Sequence, residues 1–168
     1  MTPDLSSSLD YLDSVHARTR RVIACIPEGD VELEPAPGRW SAGDQVRHLA
    51  GIERWMYGET VHGRPSRYPG HGRELADGLS AVLGYYDDMH AEARALFVAL
   101  TPAQWTGKVM TPAGVPITTW RWLRAMVEHE AHHRGQLCFT LGLLGVITPP
   151  LYGLTEPELL VQSERRQG

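Results

Sequence analysis

The stretch Thr118-Thr-Trp-Arg-Trp-Leu-Arg-Ala-Met-Val-Glu-His-Glu-Ala-His-His-Arg-Gly-Gln-Leu-Cys-Phe-Thr-Leu-Gly-Leu-Leu144 decides the fold. It holds no proline. Trp122, Met126, His129, His133, Gln136 or Leu137, and Thr140 recur every three or four residues, the period of one face of an α-helix. A helix over about 118–144 with so much apolar surface has to lie against other helices. The stripe is therefore expected to face a bundle interior.

Working outward, three more segments of similar length supply the cover. Leu5, Leu9, Leu12, Val15, Val22, Ile23 and Ile26 predict a first helix over roughly 4–26, ended by Pro27. Ser41 is a good N-cap, with Asp44 three residues on. From there Val46, Leu49, Ile52, Trp55 and Met56 carry a second helix that frays near Tyr57-Gly58 or slightly later. Leu75, Leu79, Val82, Leu83, Tyr86, Met89, Ala93, Leu96, Phe97 and Leu100 predict a third over about 73–100. Thr101-Pro102 starts a short turn, and residues 107–117 read as a small hairpin or extended loop around Pro112-Ala-Gly114. After Pro149-Pro150 the tail is irregular, except that Thr155-Glu-Pro-Glu158 is a capping-box pattern able to start one extra short helix. Four amphipathic helices and no convincing strand give an all-α four-helix bundle with a short C-terminal tail, one domain over 1–168. The connection 62–72 is longer than a minimal bundle hairpin, and such loops often wall a pocket.

Composition narrows the function. Of 168 residues, 42% are hydrophobic and 21% charged, which excludes a disordered chain. The formal net charge is −4, and no basic stripe exists to neutralise phosphates, so nucleic acid is not expected as a partner. Cys25 and Cys138 stand alone in apolar stretches and read as small buried residues, not as a disulfide framework. No apolar run is long enough for a membrane span and no leader pattern opens the chain, so the expected location is cytoplasmic.

The chemistry lies in the histidines. His129 and His133 are four residues apart and share one helix face, so two imidazoles can meet one ion. A third ligand has to come from a neighbouring helix. His48, beside the apolar stripe of the second helix, is the natural donor. Three neutral imidazoles with an open position make a catalytic rather than a closed metal geometry. Hydrogen bonds within the core are the other way to satisfy buried histidines. His129-Glu130-Ala131-His132-His133 also satisfies the His-Glu-x-x-His pattern of metalloproteases, with Glu130 as general base. That reading needs a downstream third ligand, and only Glu156 and Glu158 in the tail are available.

Glu128-His-Glu-Ala-His-His-Arg-Gly-Gln136 resembles the fourth-helix signature of the DinB-like (DinB/YfiT-like) superfamily, and Trp40-Ser-Ala-Gly-Asp-Gln-Val-Arg-His48-Leu-Ala resembles its second-helix motif. Gly145-Val-Ile-Thr-Pro-Pro150 is similar to the segment that comes after the bundle, so the resemblance spans roughly 5–155. It implies a four-helix bundle holding nickel, zinc or another divalent ion on His48, His129 and His133, and a homodimer. It also implies an enzyme acting on a small molecule, either a transferase using a low-molecular-weight thiol or a hydrolase. The alternative is a non-enzymatic metal-binding or stress-response bundle. Glu53, Glu130, His132, Arg134 and Gln136 are candidates for supporting the ligands or contacting substrate. Solvation is the simpler role for Glu53, and interhelical or dimer contacts are an equal alternative for His132 and Arg134. His16, His62, His71 and His90 read as solvated, and Trp55, Trp120, Trp122 and Tyr57 as core or pocket lining.

Overall fold

Several of the helices start where a side chain can take up the first unpaired backbone N–H groups. In the computed structural model, which describes residues 2–166, the Asp4 carboxylate caps α1 (Leu5–Ile23) by accepting from the Ser7 N–H at 2.9 Å. Met1, Gln167 and Gly168 of the expected 1–168 domain lie outside the described residues. Ser41 and Asp44 form a reciprocal capping box at the start of α2 (Ala42–Ile52). This helix runs on through a π-helical turn, Glu53–Tyr57, into a last turn at Gly58–Thr60. The extra residue of a π-turn rotates the helix beyond it. Glu53 and Tyr57, four residues apart, both face inward.

The third long helix, α3, spans Leu79–Val98 and starts later than the expected 73. Gly78 sets the boundary: its φ of +82° breaks a right-handed helix and suits glycine. The segment before it is held in place by α2, because Arg47 donates to the carbonyls of His71 and Ala76. Thr101 and Pro102 open the short α4 (Pro102–Thr106), and β1 (Lys108–Met110) pairs antiparallel with β2 (Pro116–Thr118), Val109 opposite Ile117. The fourth long helix, α5 (Thr119–Leu143), comes directly after. The Thr155 capping box does start a helix, α6 (Glu156–Arg165), and none of its residues is buried.

Helices α1, α2, α3 and α5 form the all-α four-helix bundle. Its core has two apolar parts. One gathers Val22, Ile23, Val46, Leu49, Val82 and Leu137, the other Leu12, Tyr57, Ala93, Phe97, Trp122 and Met126. Along each helix the residues between these sets are polar and buried: Thr19, Glu53, His90, Glu130 and Arg134. Such groups are costly to bury unless they pair, and they pair with one another. The Tyr86 hydroxyl donates to Glu130 in a short bond, and Arg134 donates to Thr19 Oγ1 at 3.3 Å and to the Tyr152 hydroxyl at 2.9 Å. Thus the inward stripe of α5 is Trp122, Met126, Glu130, Arg134, Leu137 and Leu141. His129 and His133 sit on its flank, half-buried, and not in the interior as their spacing suggests. No helix among the described residues is long and apolar enough to cross a membrane. Cys25 and Cys138 are free and only half-buried.

Candidate metal centre

His48 projects from the middle of α2, and His129 and His133 from successive turns of α5. One ring nitrogen from each lies within 4.8 Å of those of the other two. His48 Nε2 and His129 Nε2 are 3.3 Å apart. The ring centroids of His48 and His133 are 4.7 Å apart, and those of His129 and His133 are 4.5 Å apart. Burial, helped by the neighbouring imidazoles, pushes His48 down to about 3 and His129 to about 4. Burial and His132 lower His133 as well. At neutral pH all three rings are therefore uncharged, the form that offers a lone pair to a cation. The Nδ1 of His133 is buried without a hydrogen-bond partner. An imidazole set that is neutral, mutually facing and not internally satisfied fits a divalent ion.

Around this set lie groups to which the sequence assigned no part in the site. Trp40, the residue before the α2 cap, stands 4.9 Å from the His48 ring, 4.4 Å from His71 and 6.3 Å from His133, centroid to centroid. His48 Nδ1 is 2.8 Å from the Tyr68 hydroxyl, which is 3.2 Å from His71 Nδ1. A partner on the far nitrogen fixes the tautomer and orientation of a ligating histidine. Tyr68 and His71 belong to the loop between α2 and α3. It can lie on α2 because Gly51 has no side chain: a Cβ there would stand 3.1 Å from Pro69 Cγ. The long loop expected over 62–72 does wall the centre. His71 is thus half-buried beside the cluster and not merely solvated.

The candidate supporting residues divide. His132 and Gln136 are exposed at the rim beside His133, the two imidazole centroids being 5.1 Å apart. Glu53, Glu130 and Arg134 turn into the bundle. Glu53 is 5% exposed and its Oε1 is 2.8 Å from His90 Nδ1, so the solvated role is overturned. His90 is buried and His16 half-buried, against the expectation of exposed faces. His62 lies 2.9 Å from the Leu96 carbonyl. Glu130 is enclosed and spoken for by Tyr86, so it does not stand at the open side, where a metalloprotease base would.

A sequence profile described as the DinB superfamily matches residues 11–137. The chain belongs to the DinB superfamily. Solved DinB-like structures share the fold. A Bacillus subtilis DinB-like protein, YjoA, is 19% identical and covers 87% of this chain and 97% of its own at a TM-score of 0.71. YfiT from Bacillus subtilis, described as a probable metal-dependent hydrolase with an unusual four-helix bundle topology, is 19% identical, with 84% and 87% covered and a TM-score of 0.65. A mycothiol-dependent maleylpyruvate isomerase is 14% identical, with 80% of this chain and 61% of that one covered and a TM-score of 0.66. No curated protein matches the sequence.

Inside this DinB bundle, Glu130 makes a prediction of its own. Burial and the nearby Glu53 raise its carboxyl to about 7 from 4.5. The folded state therefore keeps a proton between pH 4.5 and 7 that the unfolded chain releases, and stability falls as pH rises through that window. His48 and His129 act oppositely, since their lowered values make stability rise with pH up to 6.5. A difference between variants separates the two effects. Relative to the wild type, metal-free Glu130→Gln should gain about 2 to 3 kcal/mol of unfolding free energy on going from pH 5 to pH 8. Denaturant titrations at both pH values measure this, and parallel pH profiles would refute a protonated Glu130.

Proposed function

We propose that the protein is a divalent-metal-dependent enzyme acting on a small molecule, its ion held by His48, His129 and His133. The observation that carries this reading is the set of three neutral imidazoles converging at a half-buried position with the His133 Nδ1 unpaired. A closed structural site needs four protein ligands, and no fourth His, Cys, Asp or Glu joins the set among the described residues. Imidazole ligands suit nickel or zinc. A divalent ion bound there would supply Lewis-acid activation of a thiol or of water at neutral pH.

The chain supplies the rest. Tyr68 orients His48 and His71 steadies Tyr68. Trp40 covers one side of the cluster. Trp40, together with Arg39, Gln45, Gln136, Phe139 and Leu143, also lines a groove of about 780 Å³. That groove is within the size range of small-molecule sites. Its apolar walls and single arginine suit a compact, partly apolar substrate with an anionic group. Gln136, exposed and part of the groove's lining, is placed to contact such a substrate, and His132 is exposed beside His133.

A low-molecular-weight thiol is our preferred nucleophile. The fold is shared with a mycothiol-dependent isomerase, which supports the choice; the fold of the YfiT hydrolase supports water instead. The experiment is a turnover assay of zinc-loaded, nickel-loaded and chelator-stripped protein, with thiols plus a panel of electrophiles, and separately with esters and amides. Thiol-dependent turnover lost on metal removal and in His48→Ala is the expected result. Ester hydrolysis without thiol would move the reading to the hydrolase. Inactivity on both panels with the metal saturated would leave a non-enzymatic metal-binding bundle. We also propose a single domain, a cytoplasmic location and a homodimer, the last tested by sedimentation of the full chain.

A further inference from the structure

A second group of ligand atoms lies inside the bundle. His16 of α1, Glu53 of the π-turn and His90 of α3 each place one donor atom within 4.8 Å of the other two. Each imidazole is gripped from behind by an aspartate. His16 Nε2 is 3.1 Å from Asp87 Oδ1, and His90 Nε2 is 3.3 Å from Asp13 Oδ1. The aspartates are in turn anchored by arginines: Arg20 Nε donates to both oxygens of Asp87, and Arg94 Nε to both oxygens of Asp13. With the Nε2 atoms taken, the Nδ1 atoms are the free ones. His90 Nδ1 meets Glu53 Oε1 at 2.8 Å, whereas His16 Nδ1 is buried and has no partner.

Hydrogen bonding within the trio thus accounts for two of its members and leaves the third bare. An unpaired buried nitrogen of this kind carries its full desolvation cost. Nothing else near it removes the deficit: the faces of the His16 ring are covered by His90 at 3.8 Å and by Tyr86 at 4.3 Å, both stacked. Two histidines each oriented by a carboxylate, converging on one glutamate, are the arrangement that prepares imidazoles to ligate a metal. Two nitrogens and one carboxylate oxygen are a donor set for zinc and for other first-row divalent ions. The aspartates behind the imidazoles, Asp13 and Asp87, reach solvent along the α1–α3 seam.

We propose that His16, Glu53 and His90 form a second divalent-metal site, separate from the His48 centre and enclosed by α1, the π-turn and α3. The imidazoles lie nearly parallel, with 13° between their planes. To share one ion they must fan apart, and His16 has no bond at Nδ1 to give up when that nitrogen turns to the ion. An ion there ties three segments together, so its role is to stabilise the fold, by mass action on the folded state alone.

The test is titration with cobalt(II) chloride, monitored by visible absorption and by metal analysis after dialysis. Wild-type protein is expected to take up two equivalents. The variant His48→Ala/His129→Ala/His133→Ala is expected to keep one, and its unfolding midpoint should rise with added cobalt. Adding Glu53→Gln or His16→Gln to that variant should weaken the remaining equivalent by at least about 10-fold. In otherwise wild-type protein, the same two substitutions should leave one equivalent on the His48 centre. That arm holds even if the triple variant does not fold. Saturation of the wild type at one equivalent that is unaffected by Glu53→Gln and His16→Gln overturns the proposal. So does a second equivalent that survives both Glu53→Gln and His16→Gln. Neither outcome depends on whether the His48 centre is catalytic.

Discussion

Arg47→Ala should lower the unfolding free energy by about 3–5 kcal/mol, the cost of breaking a buried ion pair from one side. Arg47 is fully buried, and its guanidinium uses every face. Nη1 and Nη2 meet the two oxygens of Glu32 at 2.7 and 2.8 Å, and Nη2 also meets Asp44 at 2.9 Å. Nε donates to the His71 carbonyl at 2.6 Å and Nη1 to the Ala76 carbonyl at 2.9 Å. Truncation leaves two carboxylates and two carbonyls short of a partner, and empties the volume of a large side chain. Arg47→Lys should recover little of this, because one ammonium cannot reproduce a planar fork serving four groups. The arginine is also the clamp that holds the loop of Tyr68 and His71 against α2. Its loss should therefore loosen the wall beside His48 as well as the fold. Urea unfolding measures the first effect. A loss below about 1 kcal/mol, the value of an exposed pair, would mean that the network is not a buried one.

Arg47 also marks where the sequence stops being legible. The helices can be read because apolar spacing is a local property, set by one chain segment against one core. The caps at Ser41, Thr101 and Thr155 are likewise local, a side chain three residues from the N–H it serves. The late start of α3 is not legible, since Leu75 continues the apolar period while Gly78 and the pull of Arg47 on Ala76 end it. The bundle's polar layer is hidden for a related reason. Glu53, His16 and His90 look like surface residues one at a time, and only the approach of three helices makes them partners. On α5 the same effect reverses the expectation. Spacing favours the histidines over Glu130 and Arg134 as inward residues, because a charged residue is rarely buried unless paired. Tyr86, Thr19 and Tyr152 provide the pairing from elsewhere in the chain. Trp40, Tyr68 and His71 have no periodicity to betray them. The signals for Trp40 are its place directly before a capped helix that carries His48 and its position at the head of the second-helix motif.

Removing one ligand of the proposed centre should have the largest effect of any substitution on metal binding. His129→Ala leaves two imidazoles, and affinity for zinc or nickel should fall by more than about 100-fold, the upper limit for loss of a mere supporting group. Tyr68→Phe keeps the ring and removes the hydroxyl that holds His48 Nδ1, and should cost about 10-fold. Competition against a chromophoric chelator gives both values, read in Glu53→Gln protein so that the interior cluster contributes nothing. The pH dependence adds a sharper test. A proton competes with the ion for an imidazole only below the pKa of the folded state. An ordinary histidine near 6.5 would lose affinity steadily below that pH. Here burial and the neighbouring rings put His48 at about 3 and His129 at about 4, and His133 is shifted the same way. Affinity should accordingly hold through pH 6.5, where an ordinary histidine already loses it, and fall steeply only as the values of His48 and His129 are approached. A decline that begins at 6.5 would show that the three rings are not desolvated together, and would dissolve the geometric case for the centre. Equal affinity in His129→Ala and wild type would dissolve it outright.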